Sequence, residues 1–333
     1  MTTEDWNAGT GTAATVTANP AIDVSTRVAS IVAERKLRCG PPVFQPGGGG
    51  INVARAIRRL GGEVQAVFPS GGPAGRLLEE LMAEEGVTSR VIPIAGRVRE
   101  NLNVLESETG RQFRFVLPGP ELSESECARL FDAVARLEPF PDYLVASGSL
   151  PPGAPEDLYA RLARLTRERG GRLVLDASGP ALARALDEGV YLCKPSLREF
   201  GEWTGEPAGD EAAWRRRARR VVEEGSCEVL VVSLGAAGVL WTTRDEQERL
   251  TSPAVPVASS VGAGDSLVAG IVFSLCRGRS VRDAMRLGVA AAAATVMTSG
   301  TSLFRREDAD RLLAAVAGAD AEPAPERGVG AIR

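Results

Sequence analysis

Gln45-Pro46-Gly47-Gly48-Gly49-Gly50-Ile51-Asn52-Val53-Ala54-Arg55 runs four consecutive glycines straight into an apolar, helix-like stretch. A run of glycine costs more chain entropy on folding than a plain turn requires. It also lets the backbone approach a ligand closely, and a helix start presents free N–H groups to an anion. The spacing is neither GxGxxG nor GxxxxGK[ST], so a dinucleotide-binding turn and a P-loop both fail on pattern. Outward from this stretch the chain alternates. A short strand is predicted at Thr15–Thr17, a helix over Ile51–Leu60, a strand over Val64–Phe68 and a helix over Ala74–Glu85. The rhythm resumes with Tyr143–Ala146 (strand), Pro155–Glu168 (helix), Arg172–Asp176 (strand), Pro180–Leu186 (helix) and Glu228–Ser233 (strand), then helices over Asp265–Cys276 and Val281–Met297. Val- and Leu-rich strands each followed by a helix indicate an α/β fold with a mainly parallel sheet covered on both faces. Lys36–Gln45 and Asn101–Leu117 break the rhythm: both read as extended, and Thr109-Gly110 reads as a hairpin turn. Together they predict a small separate sheet, placed to act as a flap over a ligand crevice.

Composition narrows the function. The chain has 333 residues, 44% hydrophobic and 25% charged, with a net charge of −4. That suits a soluble globular protein with an ample core and argues against nucleic-acid binding. The one dense basic run, Arg215-Arg216-Arg217-Ala218-Arg219-Arg220, lies between acidic residues and reads as a solvated helix face. Five cysteines, none in CxxC spacing, exclude a zinc ribbon or redox dithiol and suit a reducing cytoplasm. Histidine is absent altogether, which removes Ser-His-Asp and Cys-His nucleophiles and every histidine base. Residues 1–12 read as a disordered lead-in without the apolar core of a signal peptide, and 318–333 as a flexible tail. The longest apolar stretches fall short of the about 20 residues that span a bilayer, so no membrane association is expected.

Four further motifs carry chemistry. Val261-Gly262-Ala263-Gly264-Asp265-Ser266 opens an apolar helix. Its glycine amides would form an anion hole, and Asp265 would accept a proton from an attacking hydroxyl. The competing reading is an aspartate that stabilises a helix start, and the motif alone does not separate the two. Ser233-Leu234-Gly235-Ala236-Ala237-Gly238 follows a Val-rich strand and reads as a turn, or else as a loop over nucleotide phosphates. In Lys194-Pro195-Ser196-Leu197-Arg198-Glu199 the pattern itself favours a capping box of Ser196 with Glu199, the rival being a carboxylate that holds Mg2+ through water. Ala18-Asn19-Pro20-Ala21-Ile22-Asp23 reads by itself as a turn, although Asp23 could take hydrogen bonds from sugar hydroxyls.

Taken in order, these motifs together with Ser147-Gly148-Ser149-Leu150-Pro151-Pro152-Gly153 resemble the ribokinase/phosphofructokinase-B family of sugar kinases over about residues 14–316. The stretch Lys36–Asn52 is similar to the minor ATP-dependent 6-phosphofructokinase branch. Fructose-1-phosphate and tagatose-6-phosphate kinases usually carry a lysine within the glycine run, where this chain has Gly49 or Gly50. The resemblance implies a ribokinase-like three-layer α/β/α sandwich over 13–317, with a small β-sheet lid from segments about 24–46 and 99–118. It implies Asp265 as base with Gly262, Ala263 and Gly264 as the anion hole. Asp23, Gly48, Gly49 and Asn52 would hold the sugar, with Lys36, Arg99, Arg114 and Ser149 near its phosphate. Lys194, Ser196, Ser233, Gly235, Gly238 and Gly264 would contact ATP, and Glu199 would position Mg2+. The family usually has Asn at the position of Ser196. Some members also hold K+ behind the anion hole, for which the Ser259 and Val261 carbonyls are candidates. The implied reaction is fructose 6-phosphate plus ATP giving fructose 1,6-bisphosphate, in a cytoplasmic homodimer paired through the lid. The alternatives are a tagatose-6-phosphate or fructose-1-phosphate kinase, or a non-catalytic sugar-phosphate sensor of the same fold.

Overall fold

The structure is a computed structural model describing residues 10–206 and 209–319. The expected lead-in up to residue 9 and the expected tail from residue 320 lie outside the described residues. In chain order the body begins with β1 (Ala13–Val16) and is interrupted by β2 (Ala21–Val28) and β3 (Val43–Gly47), which belong to a second sheet. It continues with α1 (Gly49–Arg59), β4 (Val64–Ser70), α2 (Gly72–Glu84) and β5 (Thr88–Pro93). The hairpin β6 (Arg99–Glu106) and β7 (Gln112–Phe115) completes the second sheet. Then follow α3 (Glu124–Ala135), β8 (Tyr143–Ser147), α4 (Leu158–Glu168), β9 (Arg172–Asp176), α5 (Gly179–Asp187), β10 (Val190–Cys193) and α6 (Leu197–Thr204). The chain closes with α7 (Glu211–Glu223), β11 (Cys227–Ser233), β12 (Val239–Thr242), β13 (Gln247–Leu250), α8 (Ala263–Cys276), α9 (Val281–Val296) and α10 (Arg306–Ala319).

The large sheet has the order β13-β12-β11-β10-β9-β8-β1-β4-β5 and is parallel except for its β11–β12–β13 edge. Alternate strand residues enter opposite cores, as a sheet buried on both faces requires. Val145, Val174, Leu192 and Val231 pack with α1, α2, α8, α9 and α10, while Leu144, Leu175, Leu230 and Val232 pack with the helices α3 to α7. This is the expected three-layer α/β/α sandwich. Helix α8 is buried along nearly its whole length, from Ser266 to Leu275, and lies so close to α9 that a Cβ on Gly270 would stand 2.8 Å from the Gly288 backbone.

The second sheet has four strands in the order β3-β2-β6-β7. Two local expectations need correction there. Of the predicted extended segment Lys36–Gln45 only Val43–Gln45 lies in a strand, as the start of β3; before it, Gly40 N–H donates to the Arg27 carbonyl of β2 at 2.9 Å. Pro41 and Pro42 lack amide donors, so the ladder is interrupted there. Asp23 is not a turn residue: it sits within β2, opposite Gln45 of β3 and Asn101 of β6. Helix α4 also begins later than Pro155, at Leu158, after a turn closed by Leu158 N–H donating to the Pro155 carbonyl. The arginine run lies on α7, where Arg215 pairs with Glu211 and Arg217 with Glu224 on a solvated face. Among the described residues, no helix is long and apolar enough to cross a membrane.

Candidate active site

Strand order places the site. From β1 the chain adds β4 and β5 on one side, and from β8 onward it adds strands on the other. Such a reversal leaves a crevice beyond the carboxyl ends of the two central strands, where ligands of open α/β sheets bind. Asn19, just after β1, donates from Nδ2 to Ser149 Oγ, just after β8, at 3.3 Å and so bridges the crevice. The glycine run enters at this point. Gly48 has φ +111°, a conformation that side chains disfavour, and a Cβ on Gly49 would stand 2.2 Å from Ser147 Oγ. The backbone of the run therefore lies directly against the end of β8, and α1 starts there with Asn52 in its first turn.

Asn52 Nδ2 donates to Asp265 Oδ2 at 2.9 Å. Asp265 lies in the first turn of α8, which begins after Gly262 at φ +77°, so the free amides of that turn and the carboxylate share one end of the helix. The Asp265 carboxyl is pushed up to about 6, chiefly by burial and also by Asp176 and Asp23, against the Asn52 donor and the Lys194 ammonium. Lys194 Nζ sits 3.0 Å from Asp176 Oδ1. Burial opposes the lysine's charge, but Asp176, Asp265 and Glu199 outweigh it and the ammonium is kept. A carboxylate titrating near 6 is ionised, and so able to take a proton, at neutral pH. Because this carboxyl is raised, its basic form is lost as pH falls through about 6. The kcat/KM of the free enzyme is therefore expected to drop on the acid side with an apparent pKa near 6, measured as a pH–rate profile. A limb in the ordinary carboxylate range near 4 would contradict this.

On the lid side, Asp23 Oδ1 accepts from Asn101 Nδ2 at 2.9 Å. Burial raises its carboxyl, against the pull of that hydrogen bond and of Arg114, Arg55 and Arg99. Arg99 donates to the Leu117 and Asn19 carbonyls, each at 3.0 Å, while its Nε and Asn19 Oδ1 are buried polar atoms without a protein partner. Two guanidinium groups and unsatisfied polar atoms around one carboxylate suit a hydroxyl-bearing dianion. Lys36 is not brought to this cluster; it is exposed on the segment between β2 and β3.

On the other side of Asp265, a cleft of about 130 Å³ is lined by Ser233, Gly235, Gly238, Ala263 and Gly264 together with the apolar Val239, Leu267 and Val289. Ser233–Gly238 is indeed a hairpin turn, between β11 and β12, with Leu234 N–H donating to the Gly238 carbonyl at 2.8 Å. The same turn forms the cleft wall. Gly238 has φ +92°, and a Cβ there would stand 2.0 Å from the Leu250 carbonyl oxygen. Ser196 and Glu199 form the capping box favoured by their spacing, with Glu199 Oε2 accepting from the Ser196 amide and hydroxyl, each at 2.8 Å. The cap uses Oε2, while Oε1 lies 4.0 Å from the exposed Arg198 guanidinium. Among the described residues no cluster of three or more acidic, cysteine or histidine groups could hold a metal by itself. A cation here would depend on phosphate oxygens for much of its shell, as Mg2+ commonly does.

The profile of the pfkB family carbohydrate kinase matches residues 15–308. The chain belongs to this family. It is 44% identical over 306 residues to ATP-dependent 6-phosphofructokinase isozyme 2 of Mycobacterium tuberculosis strain H37Rv, covering 92% of this chain and 90% of the relative. It is 38% identical over 301 residues to the Escherichia coli enzyme of the same name, covering 90% of this chain and 97% of the relative. The crystal structure of phosphofructokinase-2 from Escherichia coli in complex with fructose-6-phosphate superposes with a TM-score of 0.87 at 36% identity, over 92% of this chain and 99% of that one. A pfkB family carbohydrate kinase transfers phosphate to an alcohol acceptor, and so does this chain.

Several residues of this pfkB site were not singled out in the sequence. Asp176 partners Lys194 from the end of β9; the strand-end rule for open sheets could have found it. Asn101 holds Asp23 across the lid, and Asn19 ties the two central loops together. Arg55 is fully buried behind Asn52 and had no distinguishing signal beyond its place on the apolar helix after the glycine run.

Proposed function

We propose that the protein phosphorylates fructose 6-phosphate with MgATP to give fructose 1,6-bisphosphate and ADP, and that Asp265 is the base. The observation that carries this reading is the half-buried Asp265 at the amide-rich start of α8, set between the Asp23–Arg99–Arg114 cluster and the Ser233–Gly238 cleft. In the reaction the free sugar hydroxyl gives its proton to Asp265 as its oxygen bonds the γ-phosphorus. The bond from that phosphorus to the β–γ bridging oxygen breaks and ADP leaves. Asn52, beside the base, and Asp23 orient the sugar; the Gly262–Gly264 amides receive the developing negative charge. Arg99 and Arg114, and Lys36 once the lid closes, meet the 6-phosphate dianion, with Ser149 at the crevice floor. Lys194 and the Ser233, Gly235 and Gly238 turn meet the nucleotide phosphates. Glu199, through Oε1, and Asp176 would hold Mg2+, which neutralises phosphate charge; Ser196 takes part as the cap that orients Glu199. The Ser259 and Val261 carbonyls suit K+; Ser259 Oγ already donates to the Gly300 carbonyl across that loop at 2.7 Å.

The sugar assignment draws support from the glycine run. A side chain at Gly49 meets Ser147 Oγ, and one at Gly50 would have its Cβ 2.6 Å from Thr17 Oγ1. The lysine usual in fructose-1-phosphate and tagatose-6-phosphate kinases therefore has no room in this backbone. A coupled ADP-release assay with fructose 6-phosphate, tagatose 6-phosphate and fructose 1-phosphate tests the reading. The highest kcat/KM is expected for fructose 6-phosphate; a tenfold preference for either other sugar overturns the choice, and no turnover with any of them indicates a sensor.

The lid also supports a homodimer. Phe44, Leu102 and Phe115 form one cross-strand row through Val24 and are 42%, 39% and 50% exposed. Val116 and Leu117 extend the patch, an unusual amount of large apolar surface for a sheet facing water. Phe115→Asp is expected to turn a dimer into a monomer in sedimentation velocity. A wild-type chain that sediments as a monomer at micromolar concentration refutes the lid pairing.

A further inference from the structure

Among the buried residues of α1, only Asn52 and Arg55 carry polar side chains beyond the backbone; the remainder are Gly50, Ile51, Val53, Ala54, Ala56 and Ile57. Arg55 is completely buried. Its Nε and one terminal nitrogen donate to Glu85 Oε1 at 3.0 and 2.6 Å. The other terminal nitrogen donates to the Pro46 carbonyl at 2.9 Å and to Asn52 Oδ1 at 3.1 Å. Glu85, which caps the carboxyl end of α2, is also paired with Arg59. Burying a guanidinium is costly, and an apolar side chain would fill a helix interior with less penalty. The position of this one suggests a use.

We propose that Arg55 is a positioning residue for the base: anchored by Glu85, its guanidinium fixes the Asn52 amide so that Nδ2, and not Oδ1, faces Asp265. The inference rests on Asp265 being the base. An amide has two orientations that differ by exchange of oxygen and nitrogen, and its neighbours select one. Here one neighbour can only donate and the other, as a carboxylate, can only accept. A reversed Asn52 would set donor against donor at Arg55 and acceptor against acceptor at Asp265. Without the guanidinium nothing holds Oδ1, the amide rotates, and the ionised base loses a donor. The other groups facing Asp265 are Lys194 beyond β10, Asp176 at the end of β9 and Asp23 on β2. Those facing Arg55 are Glu85, Arg59 and Asp23. None of these can replace an oriented amide. The same guanidinium holds the Pro46 carbonyl at the end of the lid strand β3, so the amide is registered to the sugar side of the crevice as well.

The test is the titration of the Asp265 carboxyl by ¹³C NMR in the full-length, ligand-free protein, together with the acid limb of kcat/KM. Variants are Arg55→Lys, which keeps the charge but loses the fork, Arg55→Met, Glu85→Gln and Asn52→Ala. In Arg55→Lys and Arg55→Met the carboxyl is expected to titrate about one pH unit higher, the size of a lost hydrogen bond to a charged group. The acid limb should move with it, and Glu85→Gln should give a smaller shift of the same sign. In the Asn52→Ala background, Arg55→Lys should add no further shift, because the effect travels through the amide. A purely structural role would lower the melting temperature without moving the titration. An unchanged titration in folded Arg55→Lys, or a shift that persists undiminished in the Asn52→Ala background, overturns the proposal. If Arg55→Met does not fold, Arg55→Lys and Glu85→Gln decide it alone. A wild-type protein with no kinase turnover would defeat the functional reading, and the carboxyl titration would still judge the relay.

Discussion

Asp265→Asn is expected to lower kcat by about 10²–10⁴-fold while leaving sugar-phosphate affinity close to that of the unmodified protein. The amide has the shape of the carboxylate but cannot accept the proton of the attacking hydroxyl. In the proposed mode of binding, ground-state affinity comes from other groups, including Arg99, Arg114 and Asp23, which the change does not touch. Folding should not suffer, because burial already opposes the Asp265 charge and the variant removes it. The check is a coupled kinase assay beside isothermal titration with fructose 6-phosphate. Turnover close to wild type would remove the base assignment, and equal losses in turnover and affinity would show that the residue binds sugar instead.

Lys194→Met is expected to cost about 3–5 kcal/mol of stability, the usual result of removing one partner of a buried ion pair. Asp176 is left behind in a site where burial already raises its carboxyl, with Glu199 close enough to push it the same way. Without the ammonium it must rise further. The sign follows: a carboxyl whose folded pKa exceeds its unfolded one takes up protons on folding, so stability falls as pH rises between the two values. The deficit of Lys194→Met should therefore be smaller near pH 5 than near pH 8, in paired urea denaturation curves. A variant with wild-type stability at both pH values would show that the pair is not what holds these strand ends together. The same change removes a cation from beside Asp265, so the acid limb of any residual activity should move upward.

These two residues also show how unevenly the sequence speaks. Asp265 announces itself through the glycines before it and the absence of any histidine to compete as base. Lys194 was visible only through a resemblance, and Asp176, its partner, was passed over because a single aspartate ending a strand has no pattern of its own. The lid was legible as a departure from alternation, yet β2 was not. Its residues bury one face only partly, and the turn preceding it masks where the strand begins. Glu199 shows the opposite case: its spacing from Ser196 specified the capping box, and the structure contains it.

What the sequence determined by itself was the kind of fold and the local parts. Periodicity, glycine placement and proline act over a few residues, so strands, helices, the glycine run before α1 and the glycine-flanked start of α8 can be read in one dimension. What only the tertiary structure decided was which parts meet. Asn52 reaches Asp265 across 213 residues, Asn19 reaches Ser149 across 130, and Gln45 reaches Thr301 across 256. Those meetings follow from the order of strands in the sheet and from helices that approach within backbone contact at Gly270 and Gly288. They depend on burial and on close packing of distant segments, for which a local pattern carries no signal. That is why Arg55, indistinguishable in the sequence from any arginine on a helix, is found only in the folded protein to stand behind Asn52 and, through it, Asp265.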